Sequence, residues 1–199
     1  MTKALFFDLH KVVTHGEFKD IYALFAQRVG ISTALVSEFH RKNLAGLLTG
    51  SVSSEEMLVA LGLDSKMDVA AMLKVWREEI GRLMKADEEM LALLTSLKGK
   101  YVLVALTNLT EQRYAVDVDM GLYEYFDHLV LSYKEGVKKP GPHIFALALK
   151  AVDCRPSEVI FIDDQEKNTA AARRLGIKAV TFCDKESLVK ELQLLGIAV

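Results

Sequence analysis

Apolar residues along this chain follow two kinds of pattern. The first is a short uninterrupted run that stops at a polar residue. Ala4 to Phe7 runs into Asp8, Tyr101 to Leu106 into Thr107-Asn108, His128 to Leu131 into Ser132, and Val159 to Ile162 into Asp163-Asp164. Runs so short and so apolar read as strands buried on both faces of a parallel sheet. A further strand is predicted at Ala179 to Phe182. Polar groups directly after such strands fall at the carboxyl ends, where open α/β sheets place their binding crevice.

The second pattern has helical spacing. Ile144 to Ala151, Glu166 to Leu175 and Glu186 to Leu195 read as helices between and after the strands, with Gly176 placed to stop the second. The alternation predicts a doubly wound, mostly parallel α/β sheet of Rossmann-like type, covered on both faces. From about Glu17 to Met84 it breaks, because that stretch has helical periodicity and no convincing strand. Ile21, Leu24, Phe25 and Val29 mark one apolar stripe, and Met72, Val75, Trp76, Ile80 and Leu83 another, read as packing between helices. Ser53 three residues before Glu56 forms a capping box for a helix through Leu61. The expected organisation is therefore an α/β core at 1–15 and 85–199 with a helical cap, 16–84, inserted after the first strand. A module inserted there would lie over the crevice, supply substrate contacts and exclude water.

Composition changes this picture little. The chain has 199 residues, 51% hydrophobic and 26% charged, the balance of a globular domain. A formal charge of -2 supplies no basic field for nucleic acid or an anionic membrane, and neither is expected as a partner. Cys154 and Cys183 have neither zinc-site spacing nor the density of a disulfide scaffold, which fits a reducing cytoplasm. The early acid at position 8 leaves no room for a signal sequence, and no segment has the length of a membrane span. Oligomeric state does not follow from the pattern.

Asp8, Thr107-Asn108, Lys139 before Pro140, and Asp163-Asp164 with Asn168 beyond form a constellation only when taken together. A carboxylate attacking phosphorus must approach a dianion, so a metal and fixed positive or hydrogen-bonding groups have to offset the repulsion. Asp8, Asp163 and Asp164 offer the oxygen-rich set that Mg²⁺ prefers, and Thr107, Asn108 and Lys139 can hold phosphoryl oxygens.

In Leu5-Phe6-Phe7-Asp8, Leu106-Thr107-Asn108, Gly136-Val137-Lys138-Lys139-Pro140 and Phe161-Ile162-Asp163-Asp164, the chain resembles the haloacid dehalogenase-like hydrolases. The resemblance spans nearly the whole chain and extends to a helical cap after the first motif. It implies that Asp8 forms an aspartyl-phosphate, stabilised by Thr107 and Lys139. It also implies that Asp163, Asp164 and the backbone carbonyl of His10 serve Mg²⁺, with Asn168 orienting the acids. The implied activity is hydrolysis of small phosphorylated metabolites.

The sequence departs from the family pattern at position 10, where a second aspartate usually protonates the leaving oxygen and then activates water. His10 stands there, and an imidazole can take the same role or fail in it. Lys11 replaces a common glycine and reads as a solvated loop residue. His15, His40, His128 and His143 read as structural. Three other readings stay open: a binding or regulatory protein without turnover, a 2-haloacid dehalogenase, and a sugar phosphomutase. The last two rank lower, because dehalogenation needs no metal and mutase chemistry needs strong acid-base help.

Overall fold

In a computed structural model, which describes residues 1–61 and 68–199, the apolar runs become strands. In chain order the first elements are β1 (Ala4–Phe7), β2 (Thr14–His15), α1 (Phe18–Val29), α2 (Thr33–Thr49), α3 (Ser54–Leu61) and α4 (Val69–Leu83). Then follow β3 (Lys85–Ala86), α5 (Glu88–Leu97), β4 (Val102–Thr107), α6 (Glu111–Asp119), β5 (His128–Leu131) and α7 (Ser132–Glu135). The chain ends with α8 (Pro142–Ala151), β6 (Val159–Asp163), α9 (Glu166–Arg174), β7 (Lys178–Thr181) and α10 (Lys185–Leu194).

β1 lies at the centre of a five-stranded parallel sheet of order β5-β4-β1-β6-β7. Because successive side chains alternate between faces, Leu5 and Phe7 pack on one side with α5 and α10 through Met90, Leu94, Leu188 and Leu192. Ala4 and Phe6 pack on the other side with Ile144, Phe145 and Ala148 of α8 and Ala171 and Ala172 of α9. The doubly wound α/β architecture expected from the alternation is the one observed. Gly176, at φ +80°, follows α9 where a stop was expected.

The described residues between β2 and β3 form the four helices α1–α4 with short connections and no strand; 62–67, inside the expected insertion, lie outside the described residues. This segment has its own core of Ile21, Phe25, Val29, Met57, Leu58, Met72, Val75, Trp76 and Ile80. Trp76 meets Phe25 edge-on at 4.9 Å and stacks on Tyr22 at 6.0 Å. Leu24 is only half-buried, and Ala26 takes a core position instead. The capping box forms, with Glu56 N–H donating to Ser53 Oγ at 3.0 Å and Ser53 N–H to Glu56 Oε2 at 2.7 Å.

A two-residue antiparallel ribbon, Thr14–His15 against Lys85–Ala86, joins the chain's exit from the sheet to its return. Strands this short carry no periodic signal in a sequence. Gly16 sits beside it at φ +141°, where an added Cβ would stand 2.6 Å from Met84 Sδ. Only glycine fits that crossing. The helical segment also contacts the sheet domain directly, through an Arg77–Asp119 ion pair at 2.7 Å and a close backbone approach of Gly50 to Tyr133. Among the described residues no helix is long and apolar enough to cross a membrane.

Candidate active site

β4, β1 and β6 are neighbours running in parallel, so the residues at or just beyond their ends are forced together. Asp8, Thr107 and Asp163 are all buried there. Lys139 arrives from the loop between α7 and α8, and its ammonium donates to Leu106 O at 2.7 Å and Asp163 Oδ2 at 2.7 Å. It also pairs with Asp8 Oδ1 at 3.0 Å. Those three partners match the three protons of an ammonium, so the Lys139 charge is fixed in place and both acids are oriented by it.

Asp8 Oδ1 also accepts the Leu9 N–H at 2.8 Å, which ties this oxygen down from two sides. Asp163 Oδ1 accepts from Gln165 N–H at 2.8 Å, and Asn168 Nδ2 lies 2.9 and 3.0 Å from the two Asp163 oxygens. Asn108 grips the main chain of Lys139, donating to its carbonyl and accepting from its N–H, both at 2.9 Å. Its side chain thereby places Lys139 and keeps one N–H beyond that grip, on the cavity lining.

Asp8, Asp163 and Asp164 each bring an oxygen into a set lying within 4.8 Å of one another. Three carboxylates face one ammonium, and burial pushes the Asp163 and Asp164 carboxyls up, with mutual repulsion adding to the effect at Asp164. Asp164 Oδ1 is buried and finds no partner among the described residues. An all-oxygen cluster with excess negative charge and an unused buried oxygen fits a hard divalent cation such as Mg²⁺.

A cavity of about 430 Å³ adjoins this cluster, lined on the sheet side by Thr107, Asn108, Lys139 and Pro140. The opposite side comes from α1 and α2, with His10 between. A more open groove of about 570 Å³ between α4 and α6 contains none of the clustered polar residues, so the chemistry belongs to the smaller cavity.

A family model for haloacid dehalogenase-like hydrolases matches residues 2–176. The chain belongs to that family. A sesquiterpene phosphatase of Aspergillus oryzae is 29% identical over 150 residues, covering 74% of this chain and 76% of that protein. Acyl-CoA dehydrogenase family member 10 of Mus musculus is 44% identical over 70 residues, 35% of this chain and 6% of that far longer protein. A solved HAD family enzyme from Bacteroides thetaiotaomicron, in complex with magnesium and inorganic phosphate, has the same fold. The TM-score is 0.82 at 22% identity, covering 95% of this chain and 99% of that one.

His10 is partly buried, with its ring edge-on to Phe18 at 5.5 Å. Burial, then the nearby Arg113 guanidinium, push its pKa down to about 4, and Nδ1 has no partner among the described residues. Lys11 adopts φ +64°, a left-handed conformation that glycine takes most readily, and pairs with Glu17 at 3.2 Å on the surface.

Several cavity residues escaped the sequence reading. Arg113 and Asp117 of α6 form a buried pair at 2.7 Å, and Phe18 and Tyr22 lie on the wall. His40, read as structural, lines the cavity as well while bonding Tyr22. Arg113 carried a usable signal: it is the third residue after the Thr110 cap, and a cation in a first turn opposes the helix dipole. His15, His128 and His143 are exposed and outside the cavity.

Proposed function

We propose that this protein is a Mg²⁺-dependent phosphomonoesterase of small phosphorylated metabolites that works through an aspartyl-phosphate on Asp8. The observation that carries the reading is the buried Lys139 ammonium between Asp8 and Asp163, beside the unpartnered Asp164 oxygen. The phosphatase relative and the neighbour holding magnesium and phosphate support it.

Asp8 Oδ1 is tied by Leu9 N–H and Lys139, leaving Oδ2 to attack phosphorus and break the P–O bond to the leaving oxygen, which departs as an alkoxide or phenoxide and takes its proton from solvent. Water then attacks the phosphorus of the acyl phosphate and returns Asp8. Thr107 holds transferred phosphoryl oxygens, and Asn108 contributes through its hold on Lys139. Asp8, Asp163, Asp164 and the His10 backbone carbonyl would hold Mg²⁺, with Asn168 orienting Asp163. Bound Mg²⁺ supplies charge that offsets repulsion between the carboxylate and the incoming dianion. α1–α4 act as the cap that screens the site from water. We place the protein in a reducing cytoplasm, in keeping with free Cys154 and Cys183.

His10, held neutral near pH 7, is suited to accept a proton from water and poorly suited to supply one to a leaving alcohol. That observation also favours a second reading, a phosphate-binding protein with little turnover. Phosphate release from acetyl phosphate and an aryl phosphate, with and without Mg²⁺, separates the two. The hydrolase reading requires Mg²⁺-dependent release that Asp8→Asn abolishes; a wild type that binds phosphate yet releases none from either substrate leaves the binding protein.

A further inference from the structure

The strand-end cluster accounts for a phosphoryl group, while the rest of the cavity has a different chemistry. His40, Leu44 and Leu48 are spaced by four on α2 and therefore share one face, which lines the cavity beside Phe18 and Tyr22 of α1. Leu44 is 36% exposed and Leu48 half-buried, so this face presents apolar surface that the fold itself leaves uncovered.

The polar atoms around it are largely spent on one another. Tyr22 Oη and His40 Nδ1 are 2.8 Å apart. Asp117 accepts from Arg113 Nε at 2.7 Å and from the Tyr123 hydroxyl at 3.2 Å, and Arg113 Nη2 donates to Thr14 Oγ1 at 2.9 Å. What remain are His10 Nδ1, at the edge nearer the strand ends, and Arg113 Nη1, each buried without a partner among the described residues, the latter on a residue only 5% exposed. Asp117 is the acid lining this cavity among the described residues, and Arg113 neutralises it. Against α1 and α2 an ammonium-bearing ligand would find no free counter-charge, and a polyol would leave desolvated hydroxyls unpaired, because the other polar lining residues, Gln165, Lys138 and Lys167 among them, come from the sheet side.

We propose that this half of the cavity binds an uncharged, largely apolar group, aromatic or branched aliphatic, with one acceptor oxygen taking the Arg113 Nη1–H. The favoured substrates are then phosphate esters of apolar alcohols or phenols, not of polyols or amines. This deepens the phosphatase reading and rests on it for the phosphoryl end.

Unreactive phosphonates test the subsite without turnover. Calorimetry on the full chain with Mg²⁺ compares methylphosphonate, benzylphosphonate, 2-aminoethylphosphonate and a polyhydroxylated alkylphosphonate. Benzylphosphonate is expected to bind about tenfold or more tighter than the other three, from the ring area it buries, and Leu48→Asp brings that ratio towards one. Within a series of carbonyl-substituted benzylphosphonates, at least one member binds about fivefold or more tighter still, the size of one net hydrogen bond. Arg113→Lys, which keeps the charge beside Asp117, removes that gain; should it fail to fold, the wild-type ligand series still decides.

Equal affinities for methyl- and benzylphosphonate, or tighter binding of the aminoethyl or polyhydroxylated compound, overturn the inference. Mg²⁺-dependent hydrolysis of acetyl phosphate is measured in parallel. If it occurs without a benzyl preference, only the subsite inference falls. If the preference appears without hydrolysis, the subsite stands and the phosphatase reading falls.

Discussion

At the strand ends of the crevice, the polar groups are charged, buried and bonded to one another through positions the backbone dictates, as Lys139 is to Asp8, Asp163 and Leu106. Across the cavity, α1 and α2 present a neutral wall in which Tyr22 and His40 satisfy each other and leucines face the open space. A charge held in place costs little reorganisation when phosphoryl transfer begins, so the sheet side suits chemistry. On the proposed reading the helical side senses shape and polarity without taking part in those ion pairs. The contrast separates a wall that suits chemistry from one that suits selection of the substrate.

The strand-end wall is expected to be the less tolerant of the two. Lys139→Met leaves Asp8 and Asp163 buried without their counter-ion. Breaking a buried pair costs about 3–5 kcal/mol of stability, and loss of a fixed charge at the reacting group lowers kcat by about 10²–10³-fold. Denaturant unfolding and phosphate release check both, and a variant within twofold of wild type in each would break the comparison.

His10→Asp sharpens it at the boundary between the walls. A carboxylic acid at that position is expected to speed hydrolysis of alkyl phosphates by about 10²-fold. Acetyl phosphate, whose leaving group needs no proton, changes little. Equal gains on both substrates would show that His10 limits something other than leaving-group protonation.

On the helical side, burial holds the His40 pKa down at about 4 against an ordinary value of 6.5. Between those values the unfolded chain binds the proton and the folded one does not, so stability falls as pH drops from about 6.5 to about 4. His40→Gln is expected to flatten this slope, read as the change in Tm between pH 7 and pH 5. The smallest effect is Ser53→Ala, which removes the cap of α3 and lowers stability by about 1 kcal/mol, with the rate per folded molecule unchanged.

The parts visible in the sequence are those governed by local rules. Apolar runs ending in Asp8, Thr107 and Asp163 needed only the geometry of a parallel sheet to converge, and the Ser53–Glu56 box needed only three residues of spacing. The two-residue ribbon at Thr14 and Lys85 depends on a pairing between distant segments and leaves no period to detect. Asp117 is the i+4 neighbour of Arg113 on α6, but Arg113 was missed because Thr14, its other partner, and the cavity reach it only through the packing of α6 against the junction. His40 looked like core because it is core on one side and cavity wall on the other.

The most direct test of the central claim is a rapid acid quench of the wild-type protein turning over phosphorus-labelled acetyl phosphate with Mg²⁺, followed by mapping of the label. The account predicts label on the peptide containing Asp8 and none in Asp8→Asn. Rapid phosphate release with no label on that peptide at any quench time would contradict it.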